Sequence, residues 1–159
     1  DLDSALTHLA RNAELRHANG DSAGALYFRA LGQALRGYRL ARVGQTRQAI
    51  AALKQAQTQL QGEPNQMVRW WIAQLFLQSG RPREARPYFA SFWHTGMRID
   101  IPASLYLGRI DEALGRRETA LAEYARFARA WRDADSAVQP MVREANAAVQ
   151  RLMGGRARG

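Results

Sequence analysis

Three histidines, His8, His17 and His94, are the imidazoles of this 159-residue chain. They lie too far apart for a metal-ligand pair of two histidines four residues apart beside a carboxylate. There is no cysteine, which removes thiol nucleophiles, thiolate metal sites and disulfides and leaves the redox compartment open. Asp111 and Glu112 are adjacent carboxylates, but neighbours on a helix diverge and make a poor acid–base pair. His94, next to Trp93, reads as a helix-end residue. Gly20, Gly24, Gly32 and Gly37 have no strand before them, so they punctuate helices and do not cradle a phosphate. The residues therefore point away from an enzyme, and neither cofactor nor metal is expected.

Binding chemistry is better represented. The net charge is +9, and arginine supplies all but one of the 23 basic residues, the exception being Lys54. No acidic residue occurs from Ser22 to Gly62, a stretch that holds Arg29, Arg36, Arg39, Arg42, Arg47 and Lys54. Arg151, Arg156 and Arg158 form a second cluster near the end, while Gly108 to Glu123 is mixed in charge. The surface is thus expected to be polarised, with Arg29, Arg36, Arg39 and Arg47 as its basic part.

The elements that carry these residues are helices. No run of alternating β-branched or aromatic residues is long enough for a strand. Leu2, Leu6, Leu9 and Ala13 share one helical face, and Asn19-Gly20 ends that helix before Asp21-Ser22 caps the next. Further helices are expected from about Ser22 to Val43, Thr46 to Leu60, Asn65 to Ser79 and from Pro82. A looser stretch, Thr95 to Pro102, precedes helices ending at Leu114, Arg132 and Met153. Gly62-Glu63-Pro64 reads as a break. With 47% hydrophobic residues and a length that buries roughly 70% of the unfolded surface, one domain needs no staples. No apolar run approaches the ~20 residues of a membrane span. A soluble or peripheral protein is expected, and cytoplasmic or exported locations both remain open because a removed leader leaves no trace.

Gly44, Gly80 and Gly115 recur 36 and 35 residues apart. Each is followed five residues on by Ala49, Ala85 or Ala120, and nine on by Leu53, Phe89 or Tyr124. Ala56, Phe92 and Phe127 come twelve after, and Gly37, Ala73 and Gly108 seven before. The pattern is one of helical hairpins, in which a small residue on one helix admits a large one from its neighbour. Phe89, Phe92 and Trp93 belong to that packing and are expected in the core.

This pattern resembles the tetratricopeptide repeat family. Leu107-Gly108, Leu114-Gly115, Ala120, Tyr124 and Phe127 carry the best copy, and the stretch to Leu152 is also similar to C-terminal repeats of some multidomain bacterial regulators and kinases. The resemblance implies an all-α fold, a right-handed solenoid of about eight helices. Residues 30–63, 66–97 and 101–132 would be repeats of a single domain spanning 1–153. Residues 1–29 and 137–153 would cap it, and 154–159 would form a flexible basic tail. The aromatic expected early in each first helix is absent or shifted by one, as at Trp70. Gly20 and Gly44 are only 24 apart, so the N-terminal hairpin lacks a helix or shares one.

The resemblance further implies an inner surface lined by the first helix of each repeat. Projected onto this chain, it gathers Tyr38, Arg42, Trp70, Gln74, Gln78 and Arg109 in a groove that would hold a peptide or helix. The expected function is a non-catalytic protein-interaction scaffold, an adaptor or a peripheral subunit of a larger complex, with a protein or peptide partner, acidic in one version. The alternative is binding of a polyanion, nucleic acid or an acidic membrane surface, through the arginine-rich N-terminal half and tail.

Overall fold

Among the described residues, 1–92 and 100–154 of this computed structural model, there are eight helices and no strand. They are α1 (Leu2–Ala18), α2 (Ser22–Arg42), α3 (Thr46–Gln57), α4 (Gly62–Gln78), α5 (Pro82–Ala90), α6 (Asp100–Ala113), α7 (Arg117–Ala130) and α8 (Gln139–Gly154). Trp93, His94, Arg156 and Arg158 lie outside the described residues.

One turn is used four times. Gly20, Gly44, Gly80 and Gly115 all have left-handed φ, between +68° and +78°. Each glycine N–H donates to the carbonyl three residues back, as from Gly44 to Ala41. The next N–H donates to the carbonyl five back, as from Gln45 to Leu40. These two bonds satisfy carbonyls that a helix end leaves open, and a side chain at the glycine would strain the backbone. The following helix starts two residues later in every case, at Ser22, Thr46, Pro82 and Arg117. Chain reversal within each unit, at Gly20, Gly44 and Gly115, therefore follows directly from the glycine register.

Proline positions correct two expectations. Gly62-Glu63-Pro64 is not a break but the first turn of α4, and Pro102 lies in the first turn of α6, which begins at Asp100. A first-turn proline lacks only an N–H that has no partner inside the helix. The end of α3 is held to α4 by Asn65, whose amide donates to the carbonyls of Gln57 at 2.8 Å and Leu60 at 2.6 Å. Pro87, by contrast, lies inside α5, the shortest helix.

The chain divides into two compact units, one of Asp1–Arg81 and one starting at Pro82. In the first, α2 is a continuous helix of 21 residues that serves two neighbours. It packs antiparallel to α1, with Leu9 opposite Gly32 and Arg39 paired to Asp3 at 2.6 Å. It also packs antiparallel to α3, so the N-terminal hairpin shares a helix. At Gly37 an added Cβ would lie 2.8 Å from Leu53 Cγ and 3.2 Å from the Leu53 backbone nitrogen. Leu53 itself is fully buried, and Ala34, Ala49, Ile50 and Ala56 of the same two helices are buried too.

The second unit repeats the device with bulkier residues. An added Cβ at Gly108 would lie 2.8 Å from the Tyr124 ring, so α7 approaches α6 with its tyrosine flat against the glycine. Tyr124, Phe127, Leu105, Val142 and Ala145 form one core cluster, with Trp131 and Leu152 packed at its edge. Phe89 of α5 stacks on Tyr106 of α6 at 4.9 Å. Phe89 and Phe92 are fully buried, in keeping with their core assignment.

Replacing an interior helical glycine with alanine ordinarily stabilises by up to ~1 kcal/mol. Here the overpacking penalty, about 1–3 kcal/mol, outweighs that gain. Gly37→Ala and Gly108→Ala should each lower stability in urea denaturation. Gly37→Ala should be the worse, since the backbone of Leu53 cannot rotate away. A gain at either position would contradict the close approach.

Candidate functional site

Within the first unit α2 and α4 run parallel, both packed against α3. Tyr38 of α2 meets Trp71 of α4 with ring centroids 4.9 Å apart and planes tilted by 36°. Around this pair opens a cleft of about 180 Å³, bordered by Ala41, Arg42, Gln74 and Gln78 with Leu53 and Leu75 beneath. Four of the residues grouped from sequence, Tyr38, Arg42, Gln74 and Gln78, thus line one cleft. Arg42 and Gln78 are exposed, while Gln74 and Tyr38 are half-buried. No ion pair involves Arg42 among the described residues, so its guanidinium and two amides face the opening together with two aromatic rings.

The same seam continues toward the start of both helices as an apolar cleft, also about 180 Å³, lined by residues including Leu31, Leu35, Pro64 and Met67. Trp71 borders both clefts. The seam therefore has an apolar end and a hydrogen-bonding end, with the indole between them. An exposed Met67, at 54%, adds an adaptable apolar edge.

Trp70 is the exception among the first-unit residues. It is half-buried and lines neither cleft; the indole of the seam belongs to Trp71. Adjacent helical residues diverge by about 100°. The signal that separates them is the spacing of Met67, Trp71 and Gln78, four and seven residues apart, which keeps these three in one stripe.

Arg109 belongs to the second unit, where it stands six residues before Gly115 as Tyr38 stands six before Gly44. Its guanidinium makes a two-pronged bond to Glu144 of α8, at 2.7 and 2.6 Å, and lies 5.3 Å from the Tyr106 ring. The carboxylate raises its pKa above the usual arginine value. Arg109 therefore ties α6 to α8. A second tie joins the same helices: Glu112 accepts from Arg151 at 2.6 Å and from the Tyr124 hydroxyl at 3.0 Å. Burial and the bond to Glu112 push the Tyr124 phenol well up.

Asp111, fully buried, takes a different partner from Glu112 and accepts a two-pronged bond from Arg86 of α5 at 2.7 and 2.9 Å. A buried charge of this kind is tolerable only when its lone pairs are filled, and Arg116 approaches at 3.4 Å as well. Asp111 and Glu112 thus diverge, each acting as a brace between helices.

The basic residues of α2 and α3 separate by neighbour. Arg39 is held by Asp3, and Arg47 is exposed on α3. Arg29 and Arg36 line a third cleft of about 290 Å³ between α2 and α3. His8 and His17 are exposed on α1. Among the described residues, no group of three or more histidine, cysteine, aspartate or glutamate side chains is placed to hold a metal ion. No described helix is long and apolar enough to cross a membrane. No family model, curated protein or solved structure matches the chain.

The Glu112 tie has a pH signature. Its carboxyl is held below the ordinary value of 4.5 by the bond from Arg151 and, second, by Tyr124, against the opposing effect of burial. A folded-state pKa below the unfolded one adds stability above the unfolded value, and that stability disappears as pH falls through the folded value. Stability should therefore decline on acidification below about pH 4.5, and Arg151→Ala should make that decline shallower. Urea denaturation at neutral and acid pH measures it; identical acid slopes in both proteins would remove Glu112 from the account.

Proposed function

We propose that this chain is a non-catalytic protein-interaction scaffold built of tetratricopeptide-like helical hairpins, and that a partner segment docks along the α2–α4 seam of the first unit. The observation that carries the reading is the convergence of Tyr38, Arg42, Gln74 and Gln78 around Trp71 in one cleft. Tryptophan, tyrosine and arginine are the residues enriched among the few that dominate binding energy at protein interfaces. Two further features support it. The glycine register and the Gly37–Leu53 and Gly108–Tyr124 contacts follow hairpin-repeat packing, and the seam joins apolar and polar surface.

The polar end suits a backbone or carboxylate, which Gln74, Gln78 and Arg42 would bond. The apolar end suits aliphatic side chains from the same segment. Affinity that rests mainly on Trp71 should depend weakly on salt, since screening acts on exposed charges and not on apolar burial. An adaptor, or a peripheral subunit of a larger assembly, fits this description equally.

The test uses immobilised protein and its Trp71→Ala and Gln78→Glu variants, washed at high salt, with helicity checked by circular dichroism. Loss of a hot-spot aromatic should reduce retention of bound proteins by ten-fold or more. Gln78→Glu lies at an exposed position and should weaken a carboxylate-bearing partner without unfolding the helix. Undiminished retention by both variants would move the binding surface away from this seam.

A further inference from the structure

The face of α2 turned toward α3 carries a different chemistry from the seam with α4. There Leu26, Arg29, Gln33 and Arg36 follow one another along α2 at helical spacing, and Gln55 of α3 and Gln59 just beyond its end face them across a cleft of about 290 Å³. Ala30 and Ala56 form its floor, both buried. Small floor residues leave room for a ligand between the longer side chains.

The hydrogen bonds of this cleft run in one direction. Arg36 donates through Nε and Nη2 to the Gln33 side-chain oxygen, at 3.2 and 3.0 Å. That oxygen is thereby turned toward the guanidinium, and the Gln33 amide nitrogen must point the other way. It donates to the Gln55 side-chain oxygen at 3.1 Å. Inside the relay the Gln33 oxygen accepts two bonds and the Gln55 oxygen one. The donors left over from Arg36, Gln33 and Gln55 include Arg36 Nη1, a second Gln33 hydrogen and the whole Gln55 amide nitrogen. Arg29 adds a guanidinium with no ion-pair partner among the described residues, and Arg36 has none either. No acidic residue occurs in the chain from Ser22 to Gly62, so α2 and α3 offer the cleft no carboxylate of their own.

A recess that holds two guanidiniums without an ion-pair partner among the described residues, further amide N–H donors and no carboxylate in its lining is a receptor for an oxyanion. We propose that the α2–α3 cleft binds a compact phosphate ester of diphosphate size, with Leu26 against the organic group that carries it. The size follows from the helix: Arg29 and Arg36 are seven residues apart, roughly 10 Å along the axis, and their flexible side chains converge on a group shorter than that. An extended nucleic-acid backbone fits less well, because it needs a continuous row of free cations. Arg39, next along α2, is engaged by Asp3, and Arg42 belongs to the seam with α4.

Inorganic pyrophosphate is the probe, titrated into the intact chain by calorimetry and by amide NMR. Saturable binding is expected, with the Arg29, Arg36 and Gln55 resonances moving most. Arg29→Ala and Arg36→Ala should each weaken it about ten-fold or more. Gln33→Leu keeps the charge but breaks the relay, and should also weaken it. Arg143→Ala, an exposed arginine of the second unit, removes the same charge elsewhere and should leave affinity unchanged. No saturable binding at millimolar pyrophosphate would overturn the proposal, as would an equal loss in Arg143→Ala. So would binding of a single-stranded oligonucleotide that pyrophosphate fails to displace, since that behaviour belongs to an extended polyanion surface.

Discussion

The left-handed glycine at the ends of α1, α2, α4 and α6 is the constraint from which the rest of the structure follows. Its two reversed hydrogen bonds close one helix and release the next two residues later, always with the same geometry. The reversals at Gly20, Gly44 and Gly115 set α1 against α2, α2 against α3 and α6 against α7 as antiparallel neighbours within their own units. The turn sets direction but not distance. Distance comes from Gly37 and Gly108, where the lack of a side chain lets Leu53 and Tyr124 press against the backbone of the facing helix. Reversal and close approach together bring side chains from non-consecutive helices onto one seam.

The two units use equivalent seams differently. Between α6 and α8 the seam is closed by ions, Arg109 with Glu144 and Arg151 with Glu112, above a core that includes Tyr124, Phe127 and Val142. Between α2 and α4 it has a tilted Tyr38–Trp71 pair, two amides and an arginine without an acidic partner among the described residues. The α2–α3 contact is rich in buried alanine, with Ala30, Ala34, Ala49, Ala52 and Ala56. Alanine brings helices together with little volume to spare at the edges, and clefts remain on two sides of α2. The first unit thus keeps its polar groups available, while the second commits several of them to bracing.

Much of this was legible in the sequence because it is local or periodic. Helix ends followed from glycine, and the close contacts at Gly37 and Gly108 followed from positions seven before and nine after each turn. Tyr38, Arg42, Gln74 and Gln78 come from the inner positions that the tetratricopeptide resemblance implies. Trp70 was chosen over Trp71 because a family position was projected onto a sequence whose early aromatic is displaced, although the spacing from Met67 to Gln78 favours Trp71. Gly62-Glu63-Pro64 reads as a break and Pro102 as the end of a looser stretch, although the first helical turn tolerates proline. Arg109–Glu144 and Arg86–Asp111 join residues 35 and 25 apart, and only tertiary packing selects such partners from the many arginines present. The glutamine relay of α2 and α3 is invisible for the same reason.

The account centres on the α2–α4 seam as the surface that meets a partner, and site-specific photo-crosslinking tests it most directly. A photoreactive phenylalanine analogue at exposed position 78 would sit at the polar end of the seam, and the same analogue at exposed position 143 of α8 serves as control. The account calls for one dominant crosslinked protein from position 78 and none of that species from position 143. Equal capture at both positions, or capture only at 143, would contradict it.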